Sequence, residues 1–460
     1  MDEFNTNIDK NDEFDVVETQ DLVRAITDKD DTKLSDLLDK EYPIDLAIAM
    51  EDLDQQQILE VYERLDDEKL AELIEQTDED YQADMVNLLS NQRIIKIFSH
   101  MSKDDIVDIL GSLKIGRRKE IINLMTSGES KTITTLLGYP EDSAGGIMTT
   151  EYVVVSSQLN IDETIRKLRQ IAPKTEVIET IFVVNNRRQL IGTVDLRDIL
   201  VRPNTELLDE FLNDNIRYVY PETDQEEVSY LASKYDLKAI PVVNHNKQML
   251  GIITIDDIID VINEEHSEDL LQLSGVSAEE DINNSVIQSL SLRIPWLLVN
   301  LVTAFLAAWT VSQFESTIAK VTALAAAMPI VTGMGGNSGS QELSVVIRAI
   351  SLKEIELKEA LPYLLKQIVL GILQGIIIGV IAGIALYFMY GSFFLGVIIT
   401  LAMIFNILLG CVMGLLIPLI LKHLNIDPAI ASSIFITTCT DTLGFLVFLG
   451  LASIFIERLI

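Results

Sequence analysis

The sequence is poor in cysteine and histidine, and its basic residues are outnumbered two to one by acidic ones. The two cysteines, Cys411 and Cys439, lie inside apolar runs, so neither a disulfide framework nor a thiolate metal site is expected. Four histidines without ligand spacing, no phosphate-binding glycine loop and no nucleophile set beside a base argue against an enzyme. With 35 Lys and Arg against 70 Asp and Glu, the net charge of −35 excludes nucleic acid, and an anionic lipid surface, as electrostatic partners of the soluble part. The start, MDEFNTNIDKNDEF, lacks the positive and then apolar pattern of a cleavable signal, which predicts a cytoplasmic N-terminal half.

Apolar residues, by contrast, make up 48% of the chain. From residue 291 onward there are 8 basic and 8 acidic side chains, which leaves 27 basic and 62 acidic ones before it. The entire imbalance therefore belongs to the first 290 residues, and an acidic soluble part precedes a neutral, very apolar one. Four long runs are apparent: Ile294 to Phe314, Gln367 to Tyr390, Ser392 to Leu421, and Pro428 to Ile456 if one Asp is tolerated. Each reaches the roughly 20 residues that a spanning helix needs. A fifth span over Val321 to Val346 is expected only with a break, because GMGGNSGSQ interrupts it. Lys and Arg in the loops favour a cytoplasmic N-terminus and an external C-terminus.

Two membrane features point to ion passage. Glycine-rich backbone in PIVTGMGGNSGSQ, Pro329 to Gln341, is tolerated at membrane depth only when buried by protein or lining a wet cavity. A close helix crossing through small residues competes with that reading. The side chains of Asn337, Ser338, Ser340 and Gln341 favour the path. Asp441, inside the last run, costs about 2.5 to 3.5 kcal/mol on insertion scales and so is expected to face a cavity, a proton or a cation.

The acidic half contains an internal repeat. ETIFVVNNRRQLIGTVDLRDIL (179–200) aligns with KAIPVVNHNKQMLGIITIDDII (238–259) at a constant offset of 59. Each copy reads as strand, polar turn, short strand and helix, similar to a tandem pair of cystathionine-β-synthase-type (CBS) domains. Before the pair, short amphipathic patterns such as KLAELIEQ and DDIVDILGSL predict a small superhelical all-α domain. After it, Asp257, Asp260, Glu264 and Glu268 follow at helical spacing on one side, with Asp256, Glu265 and Asp269 beside them. Like charges at that spacing oppose the helix by about 0.2 to 0.5 kcal/mol per pair. A hard divalent cation would relieve them, whereas plain solvation of an exposed face is the alternative.

The order of parts, with PIVTGMGGNSGSQ, the DPA of Asp427 to Ala429 and the TDxxG of Thr440 to Gly444, resembles the MgtE family of bacterial Mg²⁺ channels and transporters over nearly the whole chain. The resemblance implies a multidomain membrane protein: a tail over 1–20, an α-helical N domain over 21–139, CBS repeats over 140–202 and 203–262, a connecting plug helix over 263–290, and a five-helix transmembrane pore over 291–460. It further implies a homodimer in the bacterial plasma membrane, gated by cytoplasmic Mg²⁺. Asp441 and Asn337 would then serve the pore. Glu265, Glu268, Asp269, Asp257 and Asp260 would hold regulatory ions between plug and sensor, Asp224, Glu226 and Asp236 would do so at the dimer interface, and Asp104, Asp108 and Glu72 in the helical domain. ATP binding between the CBS repeats is disfavoured, because Leu237 stands where an aromatic would stack on adenine. A Co²⁺ or proton-coupled carrier of this architecture and a CBS-bearing membrane sensor that does not conduct are the alternatives.

Overall fold

The computed structural model describes residues 19–28, 31–51, 53–77, 79–171, 175 and 177–460, so the expected N-terminal tail falls outside them except for its last two residues. Two compact units divide within a helix, between Val261 and Ile262.

In the first unit, the chain from Thr19 to Leu136 forms a succession of helices of 7 to 10 residues. Acidic and hydroxyl side chains start many of them. Asp54, Asp66, Ser90, Ser102 and Thr126 each accept a hydrogen bond from a backbone N–H of the first turn, which satisfies a donor that the helix itself cannot. Part of the negative charge is therefore capping chemistry. Two of these helices matter for the site: α1 (Asp67–Glu75) buries Leu70, Leu73 and Ile74, and α2 (Lys103–Ser112) buries Ile106, Ile109 and Leu110.

The repeat then appears as two matching halves. The first comprises β1 (Tyr152–Ser156), α3 (Ile161–Ile171), β2 (Val177–Val184), β3 (Leu190–Asp195) and α4 (Leu196–Val201). The second comprises α5 (Gln225–Tyr235), β4 (Ala239–Val243), β5 (Met249–Thr254) and α6 (Ile255–Leu273). The offset of 59 holds in detail: both antiparallel hairpins slip register at equivalent residues, Val183/Val184 and Val242/Val243. Arg188 and Lys247 take the positive φ that each turn requires, 59° and 61°. Gln189 bridges Gln248, and their amides donate reciprocally to the carbonyls of Asn246 and Arg187. Such reciprocity is what a two-fold relation between the halves produces. Each half is also completed by the segment that precedes the other, since Thr149 pairs with Ile252 and Asn213 with Thr193.

The second unit holds the C-terminal part of α6 and the long helices α7 (Val286–Ser312), α8 (Ala323–Ser351), α9 (Ala360–Tyr390), α10 (Phe393–His423) and α11 (Pro428–Ile454). Four helices, α7, α9, α10 and the stretch Ser432–Ile454 of α11, are long and apolar enough to cross a membrane. At 29 residues, α8 also has the length, about 43 Å at 1.5 Å per residue. It is one continuous helix, which corrects the expected interruption at GMGGNSGSQ. Backbone amides at apolar depth keep their intrahelical partners, and the missing Cβ atoms serve close approach instead. A Cβ at Gly339 would come within 2.4 Å of Ile436. Gly371, Gly375, Gly379 and Gly383, spaced by four on α9, bring α10 equally close.

Candidate ion path and carboxylate clusters

The glycine motif of α8 faces α11. A Cβ on Gly336 would lie 3.9 Å from the Thr440 hydroxyl, and Gly335 and Gly444 both abut the Asn406 amide of α10. Thr440 is fully buried and spends its hydroxyl on the carbonyls of Ile436 and Thr437 at 3.0 and 3.1 Å. Asp441, next to it, is half-buried, whereas Asn337, Ser340 and Gln341 stand exposed on α8. Ser338 departs from the expectation: it is buried and meets Cys411 Sγ at 3.2 Å and Gln374 Oε1 at 3.4 Å, so it belongs to helix packing. Sequence reading also passed over Glu342, a buried carboxylate one turn beyond Ser338.

A first carboxylate cluster lies within the first unit. Asp104, the second residue of α2, is buried, and its carboxyl is raised from 3.8 to about 6 by burial and then by neighbouring Asp105. One of its oxygens, Oδ1, is buried without a hydrogen-bond partner. Asp257, near the start of α6, is likewise raised to about 6, by burial first and by Asp104 second. Glu75, the last residue of α1, is pushed up to about 7 by burial and then by Asp105. Asp105 itself is raised by burial, with Asp257, Asp256 and Glu151 adding repulsion, although the Ser102 hydroxyl donates to it. Lys103 pairs with Glu151 at 3.3 Å.

A second cluster lies within the second unit. Burial and then the charge of Asp427 raise both Glu268 and Asp269 of α6. Asp427 caps α11 by accepting a hydrogen bond from Ala429 N–H at 2.7 Å. Leu273, at the end of α6, packs with Leu343, Ile347, Ala429 and Ile436.

The remaining expected residues are placed less compactly. Asp108 and Glu72 are exposed, although Glu72 adds to the field on Glu75. Asp260 is exposed and Glu265 half-buried on α6. Asp224 and Asp236 bound α5 at opposite ends, Asp224 as its N-cap, bonded to Glu226 N–H, and Asp236 in the left-handed region at φ 52°. These two cannot share one ion within a chain, since the 11 residues of helix between them set them about 18 Å apart. Among the described residues, no three Asp, Glu, His or Cys side chains converge closely enough to hold a bare ion. What both clusters offer is hard oxygen donors and, at Asp104, an unpaired buried one. That set fits a hydrated Mg²⁺, which keeps several waters and takes only one or two carboxylates.

Three known families match the chain: the MgtE intracellular N domain over 41–142, the CBS domain over 144–203 and 208–264, and the MgtE divalent cation transporter over 328–451. The magnesium transporter MgtE of Bacillus subtilis (strain 168) is 33% identical over 338 residues, 74% of this chain and 75% of that protein. The magnesium transporter MgtE of Thermus thermophilus is 31% identical over 343 residues, again 74% and 75%. The chain belongs to the MgtE family. Its soluble part is similar to a solved cytosolic domain of the Mg²⁺ channel MgtE in complex with ATP, at 32% identity and a TM-score of 0.51, covering 53% of this chain and 100% of that one. A second such structure, the soluble part of a magnesium transporter, gives 28% identity and a TM-score of 0.50 over 54% and 99%. MgtE domains and apolar helices together make this a multi-pass membrane protein of magnesium transport.

In this MgtE chain, a groove of about 580 Å³ opens between the two CBS halves, lined among others by Phe182, Asp195, Asn213, Arg217 and Leu237. Leu237 thus stands in the wall where the sequence reading weighed it. Glu75, Asp105, Glu151 and Asp427 are cluster members that sequence reasoning did not place in a carboxylate cluster, whereas Asp256 stood beside the acidic face it described. One signal was available: Asp104 and Asp105 both fall in the first turn of a helix that Ser102 caps, ahead of the apolar positions that bury that end of α2.

Proposed function

We propose that this protein mediates Mg²⁺ influx as a homodimer, with Asp441 and Asn337 serving a hydrated ion in the membrane, and that cytoplasmic Mg²⁺ closes the path. The observation that carries the regulatory part is α6. One helix bears Asp256 and Asp257 in the first cluster and, 11 residues later, Glu268 and Asp269 in the second. At neutral pH, ionised carboxylates in each cluster repel one another and oppose the packed arrangement. Neutralisation by a divalent cation favours it, so an ion that binds the packed form better shifts the population toward it. The other ligands assigned from the family resemblance, Asp108, Glu72, Asp260, Glu265, Asp224, Glu226 and Asp236, would add weaker sites, those of α5 across the dimer.

With the N-terminus cytoplasmic and the C-terminus outside, the membrane potential drives entry by about 2.3 kcal/mol per charge per 100 mV, twice that for a divalent ion. Uptake of Mg²⁺ into proteoliposomes tests the reading. The wild type should take up Mg²⁺ and slow as Mg²⁺ on the cytoplasmic face rises, and Asp441→Ala should abolish uptake. Undiminished uptake by Asp441→Ala would overturn the path assignment.

A further inference from the structure

Asn406 lies midway along α10, its side chain 0% exposed. Its Nδ2 donates to the carbonyl of Val331 on α8 at 2.8 Å, while its Oδ1 is buried without a partner. An unpaired buried oxygen costs about 1–3 kcal/mol, so packing alone would be better served by an apolar residue of similar size. The amide also occupies space that two other helices leave for it. A Cβ on Gly335 of α8 would fall 2.2 Å from Nδ2, and one on Gly444 of α11 would fall 2.8 Å from Nδ2 and Oδ1 alike.

Both glycines adjoin the residues read as serving the ion. Asn337 is two residues beyond Gly335, and Gly444 is three beyond Asp441, on the same side of its helix. Gly336, between Gly335 and Asn337, faces Thr440, the neighbour of Asp441. A rotation of about 20° would carry a group 5–6 Å from a helix axis through about 2 Å. That matches a whole Mg²⁺–oxygen distance, and Mg²⁺ demands near-ideal octahedral geometry.

We propose that Asn406 is a positioning residue for ion passage: wedged between Gly335 and Gly444 and tied to Val331, its amide fixes the rotational register of α8 against α11 so that Asn337 and Asp441 address one ion. The inference rests on the reading of Asp441 as a pore residue. Asn406 touches no ion itself, since it is enclosed by the helices that it sets.

Two measurements on the full-length protein test this. In proteoliposomes, Asn406→Ala should lower the preference for Mg²⁺ over Co²⁺ at least fivefold while the detergent-purified protein still elutes as a single species. Gly444→Ala should cut Mg²⁺ uptake at least tenfold, and Asn406→Ala/Gly444→Ala should recover most of that loss, because the added methyl enters the space that the amide vacates. Unchanged ion preference in Asn406→Ala, or a double variant no better than Gly444→Ala, overturns the proposal. If Asn406→Ala does not assemble, Asn406→Leu, which keeps the branching at Cγ and loses the donor, supplies the ion-preference comparison. The second measurement does not depend on transport. With Cys411→Ser and Cys439→Ser as background, the pair Gly336→Cys and Thr440→Cys should cross-link on mild oxidation, and Asn406→Ala should reduce the yield at least threefold. An equal yield refutes the register claim even if the wild type proves to carry no Mg²⁺, an outcome that would separately remove the transport reading.

Discussion

Asp257→Asn should stabilise the Mg²⁺-free protein near pH 8, the reverse of what removing a useful contact would do. Burial and the charge of Asp104 move the Asp257 carboxyl from 3.8 to about 6, a shift worth about 3 kcal/mol against the ionised form. The folded state therefore holds this proton more tightly than the unfolded state. Its contribution is greatest below 3.8 and is lost as pH rises through about 6, so near pH 8 the penalty is complete. Asparagine removes the charge and keeps an oxygen for the Thr254 N–H and hydroxyl, which donate to Asp257 at 3.2 and 2.5 Å. A neutral acceptor recovers only about half of a charge-assisted bond, so a net gain of about 1–2 kcal/mol remains. In a domain of this size each kcal/mol moves Tm by about 2–4 °C. Melting by circular dichroism in chelator should thus rise by about 2–8 °C near pH 8, by about half as much near pH 5 and by almost nothing near pH 3. With saturating Mg²⁺ the order should invert, because the wild type alone retains the full ligand set and ligand binding adds to stability. A variant that melts lower than wild type near pH 8 in chelator, or one whose gain is the same near pH 5, refutes the repulsion argument.

Two further outcomes follow from the same clusters. Millimolar Mg²⁺ should protect the acidic half from protease, whereas KCl at matched ionic strength should not, since screening by monovalent salt acts weakly on buried pairs; equal protection by KCl would count against ion bridging. Removing residues 1–262 deletes the first cluster together with the first 8 of the 19 residues of α6, so the remaining chain should conduct in patch recordings without closing at high internal Mg²⁺. Retained closure would contradict the sensing role.

The CBS repeat was legible to the residue because the chain writes the same hairpin twice, down to the Asn185 and Asn244 side chains that turn back onto Arg187 and Asn246 N–H. The long helices α7, α9, α10 and α11 were legible because apolar length alone specifies a span. α8 was misread for a physical reason. Glycine in sequence reports only that a Cβ is missing, and the same absence can free a backbone or admit a neighbour. At Gly335 and Gly339 it admits Asn406 and Ile436. The first cluster was only half legible. The spacing of Asp257, Asp260, Glu264 and Glu268 locates one wall, but Glu75 and Asp104 come from helices far away in sequence, and no periodicity predicts their meeting.

The charge of −35 is therefore not the quantity that Mg²⁺ must neutralise. Most of the described acidic side chains of the N-terminal half stand on exposed faces or, like Asp54 and Asp66, cap helices and already have N–H partners. Exposed charges farther apart than about 8 Å are screened at physiological ionic strength, so their number sets solubility and says little about conformation. Under the proposed gating, the carboxylates that would respond are the few that burial forces together: Glu75, Asp104, Asp105 and Asp257 in one cluster, Glu268 and Asp269 beside Asp427 in the other. Two of the four carboxyls in the first cluster sit near 6 and one near 7, so near neutral pH Asp104 and Asp257 are mostly ionised and Glu75 is close to half protonated. Under the proposed gating, small changes in cation supply would decide whether they repel, which is the property a sensor needs and a uniformly charged surface lacks.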